Sequence, residues 1–187
     1  MAAICGRIHR DSLSAVTVSR VSVHQEPGRA AVNPDAFKAA LGRWASGITV
    51  VTAQGPDGPV GLTASAFSSL SLHPPLVLVC IGQASSHHDH LVGAPGFGVH
   101  ILGAAQEDLS NTFAFNRSDR FDGLEVEEGP LGIPLLPGTL ARLACEHHAV
   151  TDGGDHSILV GRVIGATVAD GDPLAWWQGG YRRLDLT

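Results

Sequence analysis

The chain is poor in charge, poor in cysteine and free of long apolar runs, and each shortage narrows the field. Charged residues fill only 16% of the 187 positions against 44% hydrophobic ones, which argues against a disordered chain. The charges sum to -6, a sign that repels a phosphate backbone and excludes nucleic acid as a natural partner. Cys5, Cys80 and Cys145 are odd in number, far apart and without CxxC spacing, so no disulfide framework and no zinc site are expected, only reduced, mostly buried thiols. No apolar run approaches the ~20 residues of a membrane helix, and the longest, Leu76 to Ile81, is strand-sized. Arg7, His9, Arg10 and Asp11 interrupt the N-terminus before a secretory segment can build, so the expected place is soluble and cytoplasmic.

Familiar chemical motifs are missing too. No P-loop is present, and "GAPGFG" (Gly93 to Gly98) leads into a strand instead of opening a helix, so it fails the context of a dinucleotide fingerprint. There is no G-x-S-x-G elbow, and serines such as Ser65 have no evident base nearby. Histidines cluster at His87, His88 and His90 and at His147 and His148, but adjacent side chains diverge and no carboxylate or thiol stands at a usual ligand offset, so no metal is expected.

What remains reads as one domain of ordinary length, since roughly 100 to 200 residues per domain is usual. Residues 1–32 carry no sustained period and are read as an N-terminal extension to a domain spanning 33–187. Asn33 can cap a helix that Pro34 starts, with Phe37, Leu41 and Trp44 on one face and Gly47 ending the turn. "ITVVTA" (Ile48 to Ala53) and Pro59 to Ser65 form a hairpin across "QGPDG". Strands are expected at Leu76 to Ile81 and Phe97 to Leu102, and a helix at Gln106 to Phe113. The turn-rich Arg117 to Pro137 should wrap the surface. Thr139 to Val150 and Ser157 to Val168 are long strands joined by "TDGGDH", whose Gly153 and Gly154 suit a tight turn. Many strands with few helices and no regular alternation indicate a mainly β antiparallel barrel with helical additions.

Two stretches invite chemistry. "GLTASAFSSLSLHPPLVLVCI" (Gly61 to Ile81) sets small hydroxyl and alanine residues directly before an apolar strand. Such a wall lets backbone amides approach a planar ligand and offers hydroxyls to a phosphate or to a heterocycle's polar rim, as a flavin requires. The same hydroxyls could instead satisfy local backbone groups. In "GGDHSILVGRV" a turn delivers Asp155 and His156 to the start of an apolar strand, where His156 either meets a ligand or simply ends a hairpin. Trp176, Trp177 and Tyr181 could cover a ligand or serve as core or dimer aromatics.

The ordered set "FKAALGRWASGITVVTA", "GLTASAFSSLSLHPPLVLVCI", "FGVHILGAAQEDLSNTFA", "DRFDG", "LARLACE", "GGDHSILVGRV" and "PLAWWQGGYRRL" resembles the short-chain flavin reductase family, from about Asn33 to Leu184. The resemblance implies a split β-barrel of the FMN-binding, Greek-key type with a few short helices. It implies an enzyme that uses NADH, less often NADPH, to reduce FAD or FMN and releases the product to a separate monooxygenase. It also implies a homodimer with flavin near the subunit interface. By similarity, Thr63, Ala64, Ser65 and Ser68 contact the flavin ring, and Cys80, Ile81, Gly82, Ser85 and Ser86 help hold the ribityl phosphate. Arg120 could neutralise phosphate charge, His156 is associated with the nicotinamide nucleotide as the catalytic-site residue, and Tyr181 is a further nicotinamide candidate. One departure stands out: where many relatives carry Lys or Arg after the strand ending at Ile81, this chain has "GQASSHHDH". Two other readings stay open, a flavoprotein that keeps its flavin and acts directly as oxidase or oxygenase, and a non-catalytic flavin-binding barrel.

Overall fold

The structure, a computed structural model, describes residues 32–115 and 119–184 together with the backbone of Val18 and Ser19. β1 (Val18–Ser19) is followed by α1 (Pro34–Leu41), β2 (Ser46–Gly47), β3 (Thr49–Gly55), β4 (Gly58–Ala64), β5 (Phe67–Ser71) and β6 (Leu76–Gly82). Next come α2 (His88–Gly93), β7 (Gly96–Ile101), α3 (Glu107–Ala114), β8 (Glu127–Glu128), a 3-10 turn (Pro130–Gly132) and β9 (Pro134–Leu135). The long pair β10 (Ala141–Asp152) and β11 (His156–Val168) precedes β12 (Ala175–Trp177) and β13 (Gly180–Arg182). The hairpins and long strands expected from the sequence are present within one or two residues. α2 falls in the polar "SSHHDHL" stretch that has no helical hydrophobic period, and it was not expected.

The main sheet runs β4-β3-β7-β10-β11-β6-β5, all antiparallel, with β1 pairing in parallel alongside Val150 and Thr151 of β10. Its two edge strands, β4 and β5, are consecutive in the chain and joined only by Ser65 and Ala66. Three Cα steps of 3.8 Å reach at most about 11 Å, so the edges must lie side by side and the sheet must roll into a barrel. No ladder pairs β4 with β5; beside the seam the Cys80 N–H donates to the Ala66 carbonyl at 2.9 Å and carries the β5-β6 pairing into the crossing. Register shifts at Ala144/Cys145 and His147/Ala149 bend β10, which lets it follow that curvature.

The two faces of β3 show where the core sits. Val51 and Ala53 point into the barrel with Val79, Ile81, Phe97, Val99 and Leu159. Val50 points outward into a second cluster with Ile48, just before the strand, and Leu102, Phe113, Leu136 and Leu174, covered by α3 and the β12-β13 ribbon. Burying each such side chain contributes roughly 1.5–3 kcal/mol, so a strand buried on both faces is the most heavily stabilised part of the sheet.

That second cluster corrects the expectation that Arg117 to Pro137 only wraps the surface. Residues 116–118 lie outside the described set, but Ile133 and Leu136 are buried, and Phe121 packs edge-on to Phe113 with centroids 5.0 Å apart. Buried polar groups hold the segment down: Thr52 Oγ1 donates to the Pro134 carbonyl at 2.5 Å, and the Leu136 N–H donates to His100 Nε2 at 3.0 Å. His100 Nδ1 donates in turn to the Val50 carbonyl at 3.0 Å. The imidazole is therefore neutral, and burial, reinforced by Arg142 and partly opposed by the Val50 bond, brings its pKa down to about 4.

α1 is capped as the sequence suggests, with Asn33 Oδ1 accepting from the Asp35 N–H at 2.8 Å. It ends at Leu41 rather than continuing toward Gly47, and its apolar face is uncovered: Phe37, Leu41 and Trp44 are 53%, 56% and 76% exposed. No helix among the described residues is long and apolar enough to cross a membrane.

Candidate functional site

Where the barrel fails to seal, a cleft of about 450 Å³ opens. Its walls come from Thr63 and Ala64 at the end of β4, the crossing pair Ser65 and Ala66, Cys80 to Gly82 at the end of β6, and Ser85 and Ser86 just beyond. Phe113, Ala114 and Arg120 close one side, and His156 stands at another. The volume falls within the ~300–1,000 Å³ usual for small-molecule sites. Every side chain on the β4 to β5 crossing is small, so main chain forms the wall.

The β10-β11 turn places His156. Gly154 takes φ +87 and donates to Asp152 Oδ1 at 3.1 Å, while the Gly153 N–H donates to the His156 carbonyl at 2.8 Å. The Gln83 N–H reaches the Asp155 carbonyl at 2.9 Å and pins the turn to the end of β6, where His156 pairs with Gly82. His156 Nδ1 donates to Asp155 Oδ1 at 2.7 Å, and this bond, with the imidazole charge, holds the Asp155 carboxyl below its ordinary value. Nε2 then faces Gly82: a Cβ built there would lie 3.6 Å from Nε2 with no other group within 4 Å, so the missing side chain is what leaves space in front of the ring.

Arg120 is buried, and burial holds its pKa below the usual arginine value. Its Nε and one terminal nitrogen donate to the Phe115 carbonyl at 3.0 and 2.6 Å, and the other donates to the Gly61 carbonyl at 2.5 Å. These acceptors fix the plane of the guanidinium at the edge of the cleft. Thr63 is equally well held, its Oγ1 donating to the Ser110 carbonyl of α3 at 2.6 Å. Cys80 lines the cleft as a free thiol whose pKa burial raises; Cys145 is sealed in the core, where burial pushes its pKa up to about 12; Cys5 lies outside the described residues.

The cleft thus gathers Thr63, Ala64, Ser65, Cys80, Ile81, Gly82, Ser85, Ser86, Arg120 and His156, while Ser68 and Tyr181 stand apart. Ser68 lines a neighbouring apolar groove of about 510 Å³ with Leu41, Trp44, Phe67, Leu78 and Trp176. The two spaces share Ser65, Ala66 and Cys80. Tyr181 turns inward, its hydroxyl bonded to Asn111 Oδ1 at 2.7 Å and Ser110 Oγ at 3.0 Å and its ring edge-on to Trp176. Sequence reasoning missed Phe113 and Ala114. They sit in the "SNTFA" end of α3, and nothing in a helical period says that the last turn borders a cavity.

Two members of the histidine clusters have structural partners. His88 bridges Asp89 and Ser157 Oγ at 2.8 and 2.9 Å, and His147 Nε2 is bonded to the Leu91 carbonyl at 2.9 Å. Among the described residues no three His, Cys, Asp or Glu side chains converge as a metal cage.

Comparison with known proteins bears on this geometry directly. The chain is 45% identical over 152 residues to FMN reductase (NADH) SmoA of Agrobacterium fabrum, covering 81% of this chain and 87% of that protein. It is 43% identical over 151 residues to the reductase component of 4-hydroxyphenylacetate 3-monooxygenase from Thermus thermophilus, covering 80% and 96%. Two relatives from Rhizobium meliloti are longer, and the chain spans 48% and 65% of their lengths. Streptomyces globisporus NADH:FAD oxidoreductase SgcE6, solved with NAD and FAD fragments, superposes with a TM-score of 0.77 at 37% identity, over 84% of this chain and 98% of that one. The family described as flavin reductase like domain matches residues 41–185, a span that contains the whole rolled sheet from β3 onward and every residue of the cleft, and the chain belongs to that family.

Proposed function

We propose that this chain is an NADH-dependent flavin reductase that reduces FAD or FMN and hands the free reduced flavin to a separate monooxygenase. The observation that carries the reading is the cleft at the unsealed barrel seam, walled by Thr63–Ala66 and Cys80–Gly82, with His156 facing Gly82. A flat ring fits against main chain that carries only small side chains. In this reading the ring lies along Thr63, Ala64 and Ser65, with Ser68 at the mouth of the adjoining groove. Cys80, Ile81, Gly82, Ser85 and Ser86 border the ribityl phosphate, and an anion near Arg120 meets an oriented cation. No Lys or Arg follows β6 until after α2, so the grip on phosphate rests on hydroxyls, amides and Arg120, which suits a carrier that must release its product.

When bound, the flavin and the reduced nicotinamide would supply the redox chemistry, a hydride transfer between their rings. The protein aligns the rings. Such alignment can contribute about 7–11 kcal/mol in favourable systems. His156 holds the nicotinamide nucleotide at the open side of the cleft.

The active form in this proposal is a cytoplasmic homodimer built on a 33–187 domain with an N-terminal extension. The uncovered Phe37, Leu41 and Trp44 and the apolar groove beside the cleft support a second copy seated there. Steady-state NADH oxidation with FMN, FAD and riboflavin compared tests the activity. Turnover with free flavin, and a protein that loses its colour on dilution, is the expected result. A protein that stays yellow and consumes oxygen would replace the proposal with a flavin-retaining oxidase, and failure to oxidise NADH with any flavin would leave only a binding barrel.

A further inference from the structure

We propose that Thr63 selects a hydrogen-bond donor on the bound flavin, because the Ser110 carbonyl commits its hydroxyl to act toward the cleft as an acceptor alone. The inference rests on the reading of the cleft as a flavin site and adds a direction to one of its contacts. Thr63 Oγ1 lies 2.6 Å from the Ser110 carbonyl oxygen. A carbonyl has no hydrogen to give, so the threonine proton occupies that line, and only lone pairs are left for a ligand.

The arrangement is held from behind. Ser110 is 1% exposed, its N–H donates to the Gln106 carbonyl at 3.0 Å, and the Tyr181 hydroxyl ties Ser110 Oγ and Asn111 Oδ1 to the β12-β13 ribbon. A rotation of the Thr63 hydroxyl toward the cleft would forfeit this short bond to a buried residue. Ser85 has the opposite character: its Oγ accepts from the His87 N–H at 3.3 Å and keeps its own proton to offer. One part of the cleft therefore asks for a donor while another can supply one.

A flavin presents donors of two kinds, the imide N3–H of the ring and the hydroxyls of the ribityl chain. Their shared chemistry is a hydrogen directed at an acceptor, and analogues separate them. Thr63→Val keeps the shape and removes the acceptor, Thr63→Ala removes it without a branched side chain, and Thr63→Ser restores it. Dissociation constants of riboflavin, N3-methylriboflavin and lumiflavin would be measured by fluorescence titration for each folded protein. Riboflavin should bind about tenfold more weakly to T63V and T63A but within about threefold of wild type to T63S. That loss should vanish for N3-methylriboflavin if the imide is the donor, or for lumiflavin, which has no ribityl chain, if a hydroxyl is.

Equal weakening of all three ligands, or no weakening in T63V and T63A, would overturn the assignment while the flavin site stands. Wild-type protein that binds none of the three would overturn both.

Discussion

His100 offers the clearest place to set a magnitude against the structure. It is fully buried, donates to the Val50 carbonyl and accepts from the Leu136 N–H, so the folded protein holds it neutral. Its pKa is about 4 in the fold, against about 6.5 for an unfolded histidine. The unfolded chain thus binds a proton that the native state refuses across that window. The stability His100 provides is complete above pH 6.5 and is lost as pH falls toward 4. A gap of about 2.5 units at ~1.36 kcal/mol each amounts to about 3 kcal/mol. The assay is urea unfolding between pH 7.5 and about 4.5, comparing wild type with His100→Gln, which can still donate and accept but does not titrate. At pH 7.5 the variant should be weaker by roughly 1–3 kcal/mol for the imperfectly met Val50 and Leu136 groups. On acidification the wild type should lose its advantage, by up to about 3 kcal/mol, while groups common to both proteins cancel. A difference that stays flat over the whole range would refute the claim that a neutral buried imidazole pins the Pro134–Leu136 segment.

Three further outcomes are expected. Gly61→Ala puts a Cβ 2.9 Å from Phe113 Cε1 and 3.0 Å from the Val51 carbonyl, so chemical denaturation should show a loss of about 1–3 kcal/mol, accompanied by a higher flavin KM as Phe113 is pushed toward the cleft. His156→Ala should raise the apparent KM for NADH about tenfold, ~1.4 kcal/mol, while changing flavin affinity less; unaltered NADH kinetics would remove His156 from the site. Leu41→Glu together with Trp44→Glu should turn a dimer into monomers by light scattering, since both side chains are more than half exposed in one copy; a dimer unaffected by these charges would put the interface elsewhere.

Much of this protein is readable from local chemistry, and the boundary of that legibility has physical causes. Strands β3, β6 and β11 announce themselves because β-branched runs between turn formers have little else to become. The cleft wall is readable as a run of small hydroxyl residues, and His156 as a side chain delivered by a tight turn. Three things are not readable. Phe113 and Ala114 reach the cleft through the packing of α3 across β4, a long-range contact without a sequence period. Tyr181 belongs to the same aromatic-rich tail as Trp176 and Trp177, and only the tertiary placement of Ser110 and Asn111 turns its hydroxyl inward. Arg117 to Pro137 looks like surface because its turn formers are frequent, yet the buried Thr52 and His100 supply the partners that draw its backbone into the second core cluster.

The missing ladder between β4 and β5 has a cost and a use. A sheet of this size could in principle seal itself, and substitutions that drew the end of β4 against β5 would add backbone pairing and raise the melting temperature. The same change would close the opening at this seam into which a flat guest can slide. Selection for heat resistance alone should therefore tend toward inert variants at this seam, and thermostable active variants should carry their gains on the far side of the cylinder.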